Sequence, residues 1–349
     1  MKRPRVLDIA LEAGVSTATV DRVVNERGGV SGRTVALVRR AEARLTDPDP
    51  RRRAQAQQRL DALALPCDVI LPAEAGLSTD YLAAALRYYA SRHAVSLRIR
   101  QIDRMNPVAL AEALRDIGRT GSSGVAFQAL DHPLVLEAAG ELQQSGIPVA
   151  TLVSGISSGP NLRHVGLDNR GAGRTTALLL GSFIAGAGRV AVVWSGSLSR
   201  AHEARESGFR TLVRDEFPGI EVVDIDIGRH EPIETLLKLQ QTPGIGNFAG
   251  AYCVGAGLGS LVDAVSVLPR PQRPKIIGHN LTEKTREYLV NGSIAAIIHQ
   301  DMARIAEEVV LGLTDTSRVE TVTVPTIIVT RENLNQYLDL ADLRPYASG

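Results

Sequence analysis

Residues 6 to 25, VLDIALEAGVSTATVDRVVN, constrain this chain more than any other stretch. Val6, Ile9, Ala10 and Ala13 recur at helical spacing and predict one apolar stripe on a short first helix. Gly14 sits where that helix must stop, because glycine enters the left-handed conformation at little steric cost. Ser16 is placed to cap a second helix, Thr17 to Val24, whose Val20, Val23 and Val24 turn back to the first. Two short helices joined by such a turn form a helix-turn-helix, whose second helix enters the DNA major groove.

A third apolar-periodic segment follows. Ser31 can cap it, and Val35, Val38, Ala41 and Leu45 predict its inner stripe. Three short helices on about a dozen apolar side chains make a small, marginally stable module, as expected below ~60 residues. The run VLDIALEAGVSTATVDRVVN, with Val30, Ser31 and Thr34 after it, resembles the head of the LacI family of bacterial transcription regulators. The likeness extends over about 45 residues without a gap, and DIA, AGVS, TV and RVVN are more restrictive than a generic helix-turn-helix. It implies a homodimer on a pseudo-palindromic operator. Thr17, Ala18, Asp21 and Arg22 are the base-edge candidates: arginine can bond guanine bidentately, and Thr17 and Ala18 can meet a thymine methyl. Asp21 either accepts from cytosine or restrains Arg22. Ser16, Thr19, Asn25, Ser31 and Thr34 are candidates for phosphate oxygens, which position without specifying.

Charge agrees with this division. The chain has 349 residues, room for two or three folding units, and a net charge of only +1. Residues 1 to 60 nevertheless carry +6 and the remainder −5, a basic head that can neutralise phosphates on a mildly acidic body. Cys67 and Cys253 lie far apart, without metal-ligand spacing, and read as small buried hydrophobes. Neither an apolar leader nor an apolar run of about 18 residues is present, so a cytoplasmic protein is expected.

Domain boundaries follow: a head over 1–46, a hinge or linker over 47–65, and a body over 66–343. Pro48 and Pro50 end the third helix, and Arg52 and Arg53, beside Arg51, offer further phosphate contacts. In the family this segment becomes a hinge helix that wedges a leucine into the minor groove. Here Leu60 lies later than that pattern places it, and a flexible linker is the alternative. From Cys67 onward, strand runs such as CDVILPA, GVAFQAL and RVAVVWSG alternate with Ala/Leu-rich helices, the mark of parallel, doubly wound sheets. About ten strands exceed one comfortable sheet, so two lobes are expected: about 66–166 with 297–325, and 167–296 with 326–343. The fold class is thus a small all-α three-helix head joined to a two-lobed α/β domain resembling the type I periplasmic-binding-protein fold, the family's usual effector domain.

In open α/β folds, ligands bind beyond the carboxyl ends of the strands. The residues there include Ser78, Tyr81, Gln128 and Ser154 in the first lobe and His202, Arg205, Cys253, Asn280 and Gln300 in the second. Donors, acceptors and an aromatic face suit a sugar or polyol. The family resemblance places Arg205 of SRAHEARESGF where an arginine holds sugar hydroxyls, and Gln300 where a glutamine faces ligand. Asn280 stands where the family usually supplies an acid, and Cys253-Val254 replaces its common Asn-Asp pair.

Val254 to Ser260 imitates a dinucleotide fingerprint, but its spacing is G-x-G-x-G and no acid follows for the ribose. Asp168 to Gly171 matches the family's lobe-crossing motif, with aspartate as cap or anchor. No nucleophile, metal or cofactor constellation is legible, so catalysis is not expected, and neither is a cofactor, a metal or a membrane partner. The reading is a ligand-responsive regulator, most simply a repressor; co-repression or activation by a non-sugar effector is the near alternative. A sugar transport protein or sugar-modifying enzyme would share the lobes but has no use for the head.

Overall fold

The computed structural model describes residues 6–13, 15–25, 27, 30, 32–46, 65–73, 76–103, 106–156, 162–194, 199–227, 232–314 and 320–337. In the head, α1 (Val6–Ala13), α2 (Thr17–Val24) and α3 (Gly32–Thr46) pack together. Ser16 caps α2 from an extended backbone, its Oγ accepting from the Thr19 amide at 3.2 Å. Ile9, Ala10, Val20, Val23, Val38 and Ala41 form the core, ringed by Ala13, Val15, Val24, Val30 and Val35. Val6 and Leu45, expected on the inner stripes, are instead 40% and 42% exposed. Each stands at a helix end, so the core closes before the apolar period runs out.

In the body, β1 (Cys67–Pro72), β2 (Leu97–Ile102), β3 (Gly124–Phe127), β4 (Val149–Leu152) and β5 (Arg163–Leu167) alternate with α4 (Leu77–Arg92), α5 (Pro107–Thr120) and α6 (Pro133–Gln144). Then follow α7 (Asn169–Phe183), β6 (Ala187–Trp194), α8 (Arg200–Glu216), β7 (Gly219–Asp226), α9 (Pro232–Gln240), β8 (Phe248–Cys253), α10 (Leu258–Ser266), β9 (Lys275–His279), α11 (Glu283–Val290) and β10 (Ala296–Gln300). The chain ends its described part with α12 (Met302–Thr314), β11 (Val322–Val324) and β12 (Thr326–Val329). The strands form two sheets of the same winding, β11-β5-β4-β3-β1-β2 and β12-β10-β9-β8-β6-β7. Pairings are parallel except between β10 and β12. Helices cover both faces, which is why these strands read as continuous apolar runs rather than alternating ones.

The chain passes between sheets at Asp168, at Asp301 and at Pro325. The second passage departs from the sequence expectation, which gave 297–325 to the first lobe. Strand β10 belongs to the second sheet, with Ile297 opposite Gly278 of β9 and Ile298 opposite Ile328 of β12. An apolar strand buried on both faces carries no mark of which sheet it joins. Pro325, lacking an N–H for either ladder, divides the last strand run into β11 and β12. Helix α12 then packs on the first lobe, pinned by buried Arg163, which donates to the Glu308 carbonyl at 3.0 Å and pairs with its carboxylate at 3.5 Å.

One crossing in the second lobe places the site. Helices α7 and α8 approach so closely that a Cβ on Gly173 would lie 1.9 Å from the Arg205 carbonyl oxygen. A Cβ on Gly208 would lie 2.1 Å from that of Arg170. Both contacts are with backbone, so neither can yield by a side-chain rotation. The paired glycines therefore set the depth of Arg205.

Candidate functional site

The outer face of α2 presents Thr17, Ala18 and Arg22, all exposed. The Arg22 guanidinium makes no hydrogen bond among the described residues, so its five donors are available to a base edge. Asp21 does not restrain Arg22, contrary to one expectation from sequence. It accepts from Asn25 Nδ2 at 2.7 Å and Arg27 Nη1 at 3.0 Å, because residues four apart share a helix face and α2 ends between them. Ser16 Oγ and Thr19 Oγ1 lie 2.8 Å apart, and Thr34 is half-buried in the first turn of α3. Ser31, Arg52 and Arg53 lie outside the described residues, as does the hinge from 47 to 64.

The second site gathers at the strand ends of the body. Beyond β4 comes Ser154, at the end of β6 Trp194, at the end of β9 His279, and at the end of β10 Gln300. Ser154 Oγ, Trp194 Nε1, His279 Nδ1 and Gln300 Oε1 are buried without a hydrogen-bond partner. Burying a polar group unpaired costs on the order of 1–3 kcal/mol, so four such atoms at one end of two sheets describe a place built for something else to bond. Two non-glycine residues there also take positive φ, Val153 at 62° and Asn280 at 67°. Strain of that kind gathers at binding sites because the surroundings must over-determine it.

Around these atoms the second lobe builds a polar cluster. Arg205, 3% exposed, donates from Nε to Asn169 Oδ1 at 2.7 Å and from Nη1 to the Val254 carbonyl at 3.1 Å. The Tyr252 hydroxyl lies 2.7 Å from His279 Nε2, with the direction of donation set by the tautomer. Gln300 Nε2 donates to Asn280 Oδ1 at 3.2 Å. His202, in the first turn of α8, packs so tightly on Gly255 that a Cβ there would meet its ring at 2.4 Å. Burial, assisted by the Arg205 charge, pushes the His202 imidazole down to about 3. Burial and then the charges of Arg205 and His202 hold His279 well below the usual histidine range. Both rings are therefore neutral at pH 7, able to donate and accept but carrying no charge.

Of the ligand candidates read from sequence, His202, Arg205, Asn280 and Gln300 stand in this cluster. Ser154, Gln128, Ser78 and Tyr81 stand on the first lobe: Gln128 half-buried after β3, Ser78 and Tyr81 half-buried on α4, where Tyr81 packs on the core. Cys253 is a correction. It is fully buried among apolar residues of the second lobe, its Sγ donating to the carbonyls of Gly255 and Ala256 at 3.5 and 3.2 Å. Alternation along β8 sends Tyr252 and Val254 one way and Cys253 the other, and burial lifts its thiol to about 12. Sequence reasoning missed Tyr252, Trp194 and Asn169. The first two look like core aromatics in apolar runs, and the third like part of the crossing motif.

These geometries define a small DNA-reading head on a two-lobed ligand-binding body, a ligand-responsive DNA-binding transcription regulator. Residues 5–45 match the bacterial regulatory proteins of the lacI family, and residues 99–313 the periplasmic binding protein domain. The chain belongs to the LacI family, with a periplasmic-binding-protein domain as its body. No curated relative of this chain was found. Among solved structures, it is similar to a glucose-galactose binding protein from Geobacillus stearothermophilus (22% identity, TM-score 0.67, covering 77% of this chain and 99% of that one). It is also similar to a candidate LacI transcriptional regulator from Bacteroides fragilis (16%, TM-score 0.70, 79% and 100%). A third is a periplasmic solute-binding protein from Actinobacillus succinogenes with bound D-allose (16%, TM-score 0.69, 78% and 100%). At these identities the likeness is one of fold. No helix among the described residues is long and apolar enough to cross a membrane.

Proposed function

We propose that this protein is a cytoplasmic, homodimeric repressor whose operator affinity is set by a small sugar or polyol held between the lobes. The role is binding and release, not catalysis. One observation carries the ligand half: the four buried, unpartnered polar atoms of Ser154, Trp194, His279 and Gln300 at the strand ends. A polyhydroxylated ligand supplies hydrogen-bond partners of both kinds to such a ring, and Trp194 or Tyr81 offers an apolar face. The sugar-binding neighbours of like fold support the same class. The DNA half rests on Arg22 of α2, exposed and without a hydrogen bond among the described residues, and on the +6 charge of the head.

The test begins with selection of bound fragments from random duplex DNA by the full-length protein. An inverted repeat is expected, and gel shift should show it released by one compound of a sugar and polyol panel. Removing residues 1 to 60 should abolish binding and leave the body folded. Specific binding by the truncated protein, or no enriched sequence, overturns the assignment.

A further inference from the structure

We propose that the effector is an anionic sugar, its carboxylate or phosphate group bound by Arg205. The inference rests on the ligand site proposed above and narrows its occupant.

Four charged residues of the described structure are buried: Asp68, Arg163, Arg205 and Glu308. Three of them have counter-ions. Asp68 receives Arg98 at 2.7 Å and Arg100 at 3.3 Å, and Arg163 faces Glu308. Arg205 has none among the described residues; its partners are an amide oxygen and a backbone carbonyl, both neutral. A buried charge is ordinarily paired, because its desolvation is compensated only by an opposite charge in good geometry.

Among the described residues, the carboxylates on its own helix and at the neighbouring crossings are committed elsewhere. Glu206, the next residue on α8, is bound to Arg210. Glu203 and Asp131 both hold Arg200, at 3.0 and 3.5 Å. Asp168 accepts from the Gly171 amide, and Asp301 from that of Arg304. The described groups that touch or sense the guanidinium add no negative charge: Asn169 is an amide, and His202 and His279 are neutral. Accordingly, burial lowers the Arg205 pKa, with no carboxylate raising it.

The unpaired atoms at the same strand ends include an acceptor, Gln300 Oε1, and a hydroxyl, Ser154 Oγ, but the second-lobe sheet that carries the cluster also supplies donors. A guanidinium has five N–H groups and Arg205 uses two, leaving three N–H groups without an acceptor among the described residues. Trp194 Nε1 is a donor without an acceptor. Where the Tyr252 hydroxyl donates to Nε2, His279 Nδ1 carries the ring proton and becomes another. Trp194, Val254 and His279 close the carboxyl ends of β6, β8 and β9, which are adjacent in the second sheet. A buried cation without a counter-ion, on a sheet that ends in spare donors, is the complement of an oxyanion, while Gln300 Oε1 and Ser154 Oγ remain for the ligand's hydroxyls. A neutral sugar would use the donors and leave the charge uncompensated.

Calorimetry and thermal shift on the full-length protein with matched pairs decide the point. The pairs are D-glucose with D-glucuronate and with D-glucose 6-phosphate, and D-galactose with D-galacturonate; D-gluconate tests the open-chain acid. An anionic member should bind at least tenfold tighter than its neutral parent. The uronate and phosphate arms separate the two sources of charge. Arg205→Gln should abolish the preference, and Arg205→Lys should keep part of it. Tighter binding of a neutral parent in the wild-type protein overturns the inference and leaves the sugar reading standing. Silence across the whole panel overturns both.

Discussion

Acid should unfold the body well before its carboxylates are protonated. His279 and His299 are buried, His202 is half-buried, and all three are neutral; desolvation pushes His202 down to about 3 and His299 down to about 4, and His279 well below its ordinary value. His299 Nδ1 accepts from the Leu281 amide at 3.2 Å, so protonation there would also break a bond. A histidine of the unfolded chain titrates near 6.5. As pH falls through that value the unfolded chain takes up protons that the folded one refuses, so stability is full above about 6.5 and falls toward the folded values. Between pH 7 and 5 each such ring costs about 2 kcal/mol, from 1.36 kcal/mol per unit of pKa. His202 and His299 together cost about 4 kcal/mol, and His279 adds to the loss in the same direction, against a total stability of about 5–15 kcal/mol. Urea melts at pH 7, 6 and 5 should show the loss, and thermal melts at the same pH values a fall in Tm on the order of 10 °C. His299→Asn, whose amide oxygen can replace the Nδ1 acceptor, should remove about 2 kcal/mol of the loss between pH 7 and 5. A flat profile across pH 7 to 5, or a normal histidine titration for these rings by NMR, would refute the burial argument.

Two further outcomes follow from the crossing and the head. Gly208→Ala drives a methyl against the Arg170 carbonyl oxygen, so it should cost at least about 1–3 kcal/mol in urea melts and weaken effector response by shifting Arg205; wild-type stability would show that α7 and α8 are not in close contact. Arg22→Ala should lose about 1–3 kcal/mol on the selected operator and relax preference at one base pair, whereas Arg53→Ala should weaken all duplexes alike; equal loss on every sequence from both would remove Arg22 from the base edge.

The head was legible because its constraints are local. Ser16, Val20 and Val23 announce a cap and a stripe within one turn of each other, and the structure keeps all three roles. Asp21 was misread because its partner lies past the helix end, where spacing rules stop. In the body, apolar runs located the strands, yet β10 gave no sign of its sheet, since a strand buried on both faces looks the same in either. Arg205 and Gln300 were visible through their positions after strands. Tyr252 and Trp194 were not, because each closes an apolar strand run; Tyr252 is marked by its partner His279 on β9, and Trp194 by a buried Nε1 left unpaired. Cys253 failed for the opposite reason: it lies one residue from the site, and one residue along a strand reverses the face.

Coupling between ligand and DNA needs an element that both states contest, and the crossing at Asp168 has the required connections. Asn169 Nδ2 donates to the Leu167 carbonyl at the end of β5 in the first lobe, at 3.1 Å, while its Oδ1 accepts from Arg205 in the second. One amide thus ties the first-lobe strand to the buried guanidinium. At the second crossing Gln300 contacts Asn280 and is followed by Asp301, which caps α12 on the first lobe. A ligand that engages Arg205 and Gln300 therefore acts on the side chains that anchor two of the three passages between lobes. No distant relay is needed. A difference of 1–3 kcal/mol in how the two lobe arrangements hold the ligand is enough to change operator affinity five- to 150-fold, and by reciprocity the operator must then weaken or strengthen the ligand by the same factor.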